Sequence, residues 1–237
     1  MLPSVGPAYW AVMVLAFLVG GLVKRRQPGP RSALSRAENA GVLFGAIVGG
    51  TVAAKLPFVL GDWEALLSGA AWLENGRTLT LGLLGGYLGV EIAKLSLGIE
   101  AKTGDALAAP LAATIGVARI GCFVGGCCFG RPSDLPWARD FGDHVRRHPT
   151  QLYEAAFHLV AAVVLFRLAR TDRFRRQRIK LYLAGYFVFR FFTEWLRPEP
   201  IVAAGLTFYQ CTSIFGLLVM ALLFRHDARA LLRESPV

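Results

Sequence analysis

Arg119, Arg190 and Glu194 fall inside long apolar stretches of this 237-residue chain, where a charged side chain needs a partner or a task. Arg190 and Glu194 stand one helical turn apart in RFFTEWLRP, on one face, and Arg197 follows at the end of the stretch. Glu154 lies one turn into another apolar stretch, in HPTQLYEA. These charges admit two readings. They are structural ion pairs, with arginines such as Arg131 and Arg197 snorkelling from helix ends, or they hold an anion. Arg119 and Arg190, with few acidic neighbours in sequence, suit a phosphate: guanidinium is planar, stays charged and grips two oxygens at once. In the outer half of a membrane the abundant phosphate is a phospholipid headgroup.

His148 opens His-Pro-Thr-Gln-Leu-Tyr-Glu, with Pro149 suited to a first helical turn. It is an interfacial hydrogen-bonding residue or a group that takes and gives protons near neutral pH. His144 and His158 lack such a context and read as structural. The stretch ARIGCFVGGCCFGRP holds Cys122, Cys127 and Cys128, three of the four cysteines. Four roles compete for them. With His148 they would make a zinc-type ligand set, although no CxxC pair is present. They could form a disulfide, including one to Cys211, in an oxidising compartment. One could be a nucleophile beside Arg119 or Arg131. They could also be small residues packing a tight helix end, where Gly121 and Gly125 form a GxxxG that lets helices approach closely. No metal and no cofactor is expected.

The elements that carry these residues follow from the apolar pattern. The chain is 54% hydrophobic with a mean hydropathy of +0.47. Seven apolar windows fall near 8–23, 39–60, 79–97, 106–124, 151–169, 179–196 and 206–224. Each can cross a hydrocarbon core of about 30 Å, which takes about 17–25 helical residues. Only helices satisfy their own backbone over such runs in lipid. The expected fold is therefore an all-α polytopic membrane protein of seven transmembrane helices, a single domain over 1–237. The first window lacks the charged start and cleavage site of a secretory signal.

The net charge of +10 is gathered in blocks. Lys24, Arg25, Arg26, Arg31 and Arg36 occupy the first link, about 24–38; Arg170, Arg173, Arg175, Arg176, Arg178 and Lys180 occupy the fifth, about 170–180. The second link, with Asp62, Glu64 and Glu74 against Arg77, is acidic. The basic links and the tail with Arg225, Arg229 and Arg233 then share a side, which the positive-inside rule makes cytoplasmic. The N-terminus falls outside and the C-terminus inside. The charge is thus a topology signal with some attraction to anionic headgroups, and no nucleic-acid partner is expected. On this topology the segments 118–132, 146–154 and 186–198 meet at the outer face, and Gly125 to Thr150 is an extracytoplasmic link.

The ordered set ARIGCFVGGCCFGRP, RHPTQLYE and GYFVFRFFTEWLRPE, with LGGYLGV at 84–90 and Tyr209-Gln210 further on, resembles the bacterial prolipoprotein diacylglyceryl transferases. The likeness runs from about Thr80 to Leu223. It implies an inner-membrane enzyme that moves diacylglycerol from phosphatidylglycerol to the lipobox cysteine thiol of a preprolipoprotein, releasing glycerol phosphate. By position, Arg119 and Arg190 fall on the arginines that hold the lipid phosphate. Glu194, Arg197, Tyr186 and Gly130 fall on motif positions, and so do His148, Gln151, Tyr153 and Glu154. Arg131 and Gln210 join the substrate-binding set.

The chain also departs from the pattern. Leu84-Gly85-Gly86 stands where the family has His-Gly-Gly, Cys122 stands for an asparagine, and Cys127 for an acidic residue. The phosphate side is retained and the proton-handling side altered, which leaves His148, oriented by Glu154, to deprotonate the acceptor. Alternatives are a family member with another acceptor, a non-catalytic lipid- or lipoprotein-binding protein, and a thiol-redox membrane protein.

Overall fold

A computed structural model of the chain describes residues 6–28, 34–61, 63–73 and 76–234. Of the charges used to read the topology, Arg31, Asp62 and Glu74 lie outside the described residues, as does the side chain of Arg233. The described chain is mostly helical, and every apolar window coincides with a helix. In order these are α1 (Pro7–Arg26), α2 (Arg36–Gly61), two short helices α3 (Trp63–Ser68) and α4 (Ala70–Leu73), α5 (Leu79–Ser96), α6 (Asp105–Val124), α7 (Thr150–Arg170), α8 (Arg178–Thr193) and α9 (Phe208–Glu234). Five of them, α1, α2, α6, α7 and α9, are long and apolar enough to cross a membrane. Of the other two that match windows, α5 has 18 residues and α8 has 16.

Large apolar side chains point outward, with Phe17 75% and Leu95 83% exposed, while charged groups sit inside. This inverts the pattern of a soluble protein and is what a lipid solvent demands. The chain is a polytopic helical membrane protein.

Two compact units are present, residues 1–30 with 103–237, and residues 31–102. In the second, α2 packs on α5 through glycines. A Cβ on Gly45 would lie 2.5 Å from the Gly89 carbonyl oxygen, and one on Gly85 would lie 2.5 Å from that of Gly49. Only hydrogen side chains permit this approach of two backbones. Leu84 is buried within this unit.

The first unit is built around α6, which packs against α1 and α7, with α8 against α9. Ala108, Ala109, Ala112, Ala113 and Gly116 give α6 a smooth buried surface. At one end, Gln27 after α1 donates to the Asp105 carbonyl, and the Asp105 carboxylate accepts the backbone N–H of Arg178 at 2.9 Å. Lys180 pairs with Asp227 there as well. The end of α1, the α7–α8 link and the basic part of α9 thus cluster. The opposite end carries the 125–149 loop. There β1 (Arg139–Asp140) pairs antiparallel with β2 (Arg146–Arg147), and a second hairpin, β3 (Ile201–Ala203) with β4 (Leu206–Thr207), links α8 to α9.

Candidate active site

Charges from three helices converge at the loop end of the first unit. Glu154, one turn into α7 and 1% exposed, is their centre. Arg119 from α6 brings Nε to 2.5 Å from Glu154 Oε2. Arg197, just past the 3₁₀ turn Glu194–Leu196 that ends α8, places Nη2 2.8 Å from Oε1. Arg190 lies 3.9 Å from that same oxygen and makes its closer contact, 2.6 Å, with Glu194. The Thr207 hydroxyl from β4 donates to the second Glu194 oxygen at 2.9 Å, and the Arg190 guanidinium lies over the Tyr209 ring, 5.3 Å from its centre. Gln210 braces this corner: its Oε1 accepts the Thr207 N–H at 3.0 Å.

Three guanidiniums against two carboxylates leave one positive charge in excess. Arg190 Nη1 and Arg197 Nε are buried with no hydrogen-bond acceptor among the described residues, and Glu154 Oε2 and Glu194 Oε2 beside them meet Arg119 and Arg190 as ion pairs only. Buried donors in a low dielectric are costly when unmatched. An anion with several oxygens meets both needs at once.

The HPTQLYE segment divides its side chains between two tasks. Glu154 turns to the arginines, whereas Tyr153 turns to the loop. His148 Nδ1 lies 3.4 Å from the Tyr153 hydroxyl, which accepts the Trp137 indole N–H at 2.7 Å. The neighbour of His148 is therefore Tyr153 and not Glu154, because consecutive helical residues point about 100° apart. A cleft of about 750 Å³ opens beside Tyr153 and Trp137, lined also by Phe123, Leu152, Arg139 and Arg146.

Gln151 and Thr150 fasten the cysteine loop to α7. Gln151 Nε2 donates to the Cys127 carbonyl at 2.6 Å and the Thr150 hydroxyl to that of Cys128 at 2.9 Å. Gly130 donates its N–H to the His148 carbonyl, Arg131 donates its own to the Leu196 carbonyl, and Arg131 Nε reaches the Arg197 carbonyl at 2.7 Å. A Cβ on Gly130 would sit 2.8 Å from Thr150 Cγ2 and 2.9 Å from His148 Cβ. Glycine is needed there for close approach.

Cys122, Cys127 and Cys128 bring their sulfurs within 4.8 Å of one another, all free thiols, and Cys211 stands outside that group. Cys128 adopts φ +61°, a left-handed conformation rare for a residue with a Cβ. Hydrogen bonds from the Cys122 and Cys127 sulfurs, helped by Arg119 and Arg197, hold its thiol below the usual range.

One residue of the cluster carried no signal in the sequence: Thr207 lies in a hairpin with no motif. His158, expected to be structural, is fully buried one turn beyond Glu154, 2.8 Å from the Tyr182 hydroxyl and stacked on Tyr186 at 5.0 Å between ring centres.

The molecule is thus an integral membrane protein with a buried, net-cationic site beside a cysteine-rich loop. The profile of the family described as prolipoprotein diacylglyceryl transferase matches residues 6–225. A phosphatidylglycerol–prolipoprotein diacylglyceryl transferase of Geobacter sulfurreducens is 32% identical over 213 residues, 84% of this chain and 80% of the relative. The protein of the same name from Vibrio vulnificus is 32% identical over 219 residues, 86% of this chain and 80% of its own length. That of Bordetella avium is 31% identical over 244 residues, 94% and 91% respectively. This chain belongs to the prolipoprotein diacylglyceryl transferase family.

Proposed function

We propose that the protein transfers a diacylglyceryl group from phosphatidylglycerol to the lipobox cysteine of a preprolipoprotein. The observation that carries this reading is the excess of buried positive charge, three arginines against Glu154 and Glu194, suited to a phosphodiester, in a chain whose relatives bear that activity in their names. Arg119, Arg190 and Arg197 bind the lipid phosphate, with Glu154 and Glu194 fixing their planes. The acceptor sulfur attacks the glyceryl carbon that carries the phosphate oxygen. A carbon–sulfur bond forms, the carbon–oxygen bond breaks, and glycerol phosphate departs with the electron pair. The arginines stabilise the charge that develops on the leaving oxygen. His148 accepts the thiol proton, with Tyr153 orienting its ring. Gly130, Arg131, Gln151, Tyr186 and Gln210 shape the wall around the headgroup.

The wider arrangement belongs to the same proposal. The chain is one seven-span transferase domain in the bacterial inner membrane, with α5 and α8 as the two shorter spans. Its N-terminus is outside, its C-terminus is cytoplasmic, and the 125–150 loop faces outward. A second reading, transfer to a different acceptor, is favoured by one observation: Leu84, Cys122 and Cys127 stand where the family pattern has polar residues.

The test is incubation of the purified protein with labelled phosphatidylglycerol and a lipobox peptide, followed by mass spectrometry. A thioether-linked diacylglyceryl peptide is expected. Release of glycerol phosphate without modified peptide would move the assignment to the second reading, and no turnover of the lipid would remove both.

A further inference from the structure

The cysteines that mark this chain's departure from its family are brought together by its fold, and their spacing in sequence conceals it. Cys122 lies in the last turn of α6; the helix ends at Val124, and the backbone N–H of Cys127 returns to the Cys122 carbonyl at 3.1 Å. This closes a wide turn through Gly126, itself at φ +64°. Cys128 then enters the left-handed region at φ +61°. Strain of this kind persists only where the surroundings enforce it. Here Gln151 and Thr150, both buried at the start of α7, hold the carbonyls of Cys127 and Cys128. The result is three sulfurs within 4.8 Å of one another, with the outermost, Cys128, open to solvent.

We propose that Cys122, Cys127 and Cys128 form a three-sulfur site for a thiophilic d¹⁰ cation, Cu(I) or Zn(II). Thiolates select these ions over hard cations. A metal–sulfur distance of about 2.3 Å needs sulfurs about 4 Å apart, which small side-chain rotations supply here. Binding deprotonates the thiols and releases their protons to solvent. The complex carries a net negative charge, which Arg119, one turn before Cys122 on α6, and Arg197 offset. His148 is not part of the group; its ring meets Tyr153. Three-coordinate Cu(I) is complete with the sulfurs alone, whereas Zn(II) takes a solvent molecule through the open side at Cys128. The proposal does not depend on transferase activity, and its readout is metal binding alone.

The experiment uses the full chain in detergent, reduced and then freed of reductant under anaerobic conditions. Cu(I) and Zn(II) are titrated separately against a chromophoric chelator of each ion. One ion per chain is expected, with affinity lowered at least about tenfold by Cys122→Ser, Cys127→Ser or Cys128→Ser and unchanged by Cys211→Ser. Tighter binding in the Cu(I) arm assigns the three-coordinate form, and tighter binding in the Zn(II) arm the form with solvent. Cys128→Ser, at an exposed position, keeps the test informative if the two less exposed variants elute as aggregates. Absence of competition in both arms overturns the site, as does equal competition by Cys128→Ser and the unchanged chain. A disulfide within this cluster, in protein alkylated at the moment of extraction from cells, overturns it as well.

Discussion

Arg119 Nε and Glu154 Oε2 lie 2.5 Å apart, joining α6 to α7 through a charged contact in the interior of the first unit. Since Arg197 and Arg190 share the other oxygen, Glu154 is the single carboxylate around which three guanidiniums are arranged. Its substitution removes half of the site's negative charge without emptying much volume.

Glu154→Gln should therefore cost stability as well as activity. Breaking a buried pair from one side typically costs about 3–5 kcal/mol. The expected outcome is a lowered midpoint of thermal unfolding in detergent together with loss of diacylglyceryl transfer. An unchanged midpoint would mean that the arginines find other partners.

Arg190→Lys separates charge from geometry. Lysine keeps the charge but cannot span Glu194 and a ligand oxygen with one planar group. Transfer should fall by about 10²–10³, the usual effect of losing one donor to a developing charge, with the protein still folded. A rate assay with labelled phosphatidylglycerol, beside size-exclusion of the same sample, measures both.

His148→Ala should lower transfer by about 10²–10⁴, the range associated with a lost proton acceptor, at unchanged protein level. Tyr153→Phe, which removes only the hydroxyl facing Nδ1, should have a smaller effect. Equal activity in His148→Ala and the unaltered chain would assign the proton to another group.

Gly130→Ala places a methyl group against Thr150 and His148. Overpacking of this kind costs about 1–3 kcal/mol, and the displaced His148 should lower activity further. Differential scanning fluorimetry with the transfer assay distinguishes this from a purely catalytic loss.

Cys128 should be the first thiol modified. It is exposed, and hydrogen bonds from Cys122 and Cys127 favour its thiolate. In cells with a permeabilised outer barrier, reduced and treated with chelator, a membrane-impermeant maleimide should label the chain, and Cys128→Ser should remove most of the label. Labelling only after the inner membrane is opened would place this loop on the cytoplasmic side.

Much of this architecture was legible because lipid imposes a simple rule on sequence. Apolar runs long enough to span became helices, and charges within them turned inward. Arg119, Arg190 and Glu154 stood out for that reason. The partners were harder to read. Whether Glu154 or Tyr153 faces His148 depends on the rotation of α7 set by packing against α6, and no spacing rule carries that information. The cysteines show a different limit. Separations of five and one match no helix or metal motif, and they meet only because a helix ends and the chain reverses through two left-handed residues, Gly126 and Cys128, on either side of Cys127. Thr207 reaches Glu194 across a hairpin whose register local sequence does not specify.

Glu154 also acts as a resident rival. An anion arriving among the three arginines finds them already aligned, and so the ordering of long flexible side chains is complete before it binds. It must nevertheless share them with a carboxylate that never leaves. In the proposed reaction the same group eases both capture and release, so that three arginines with one net positive charge do not hold on to the phosphate product.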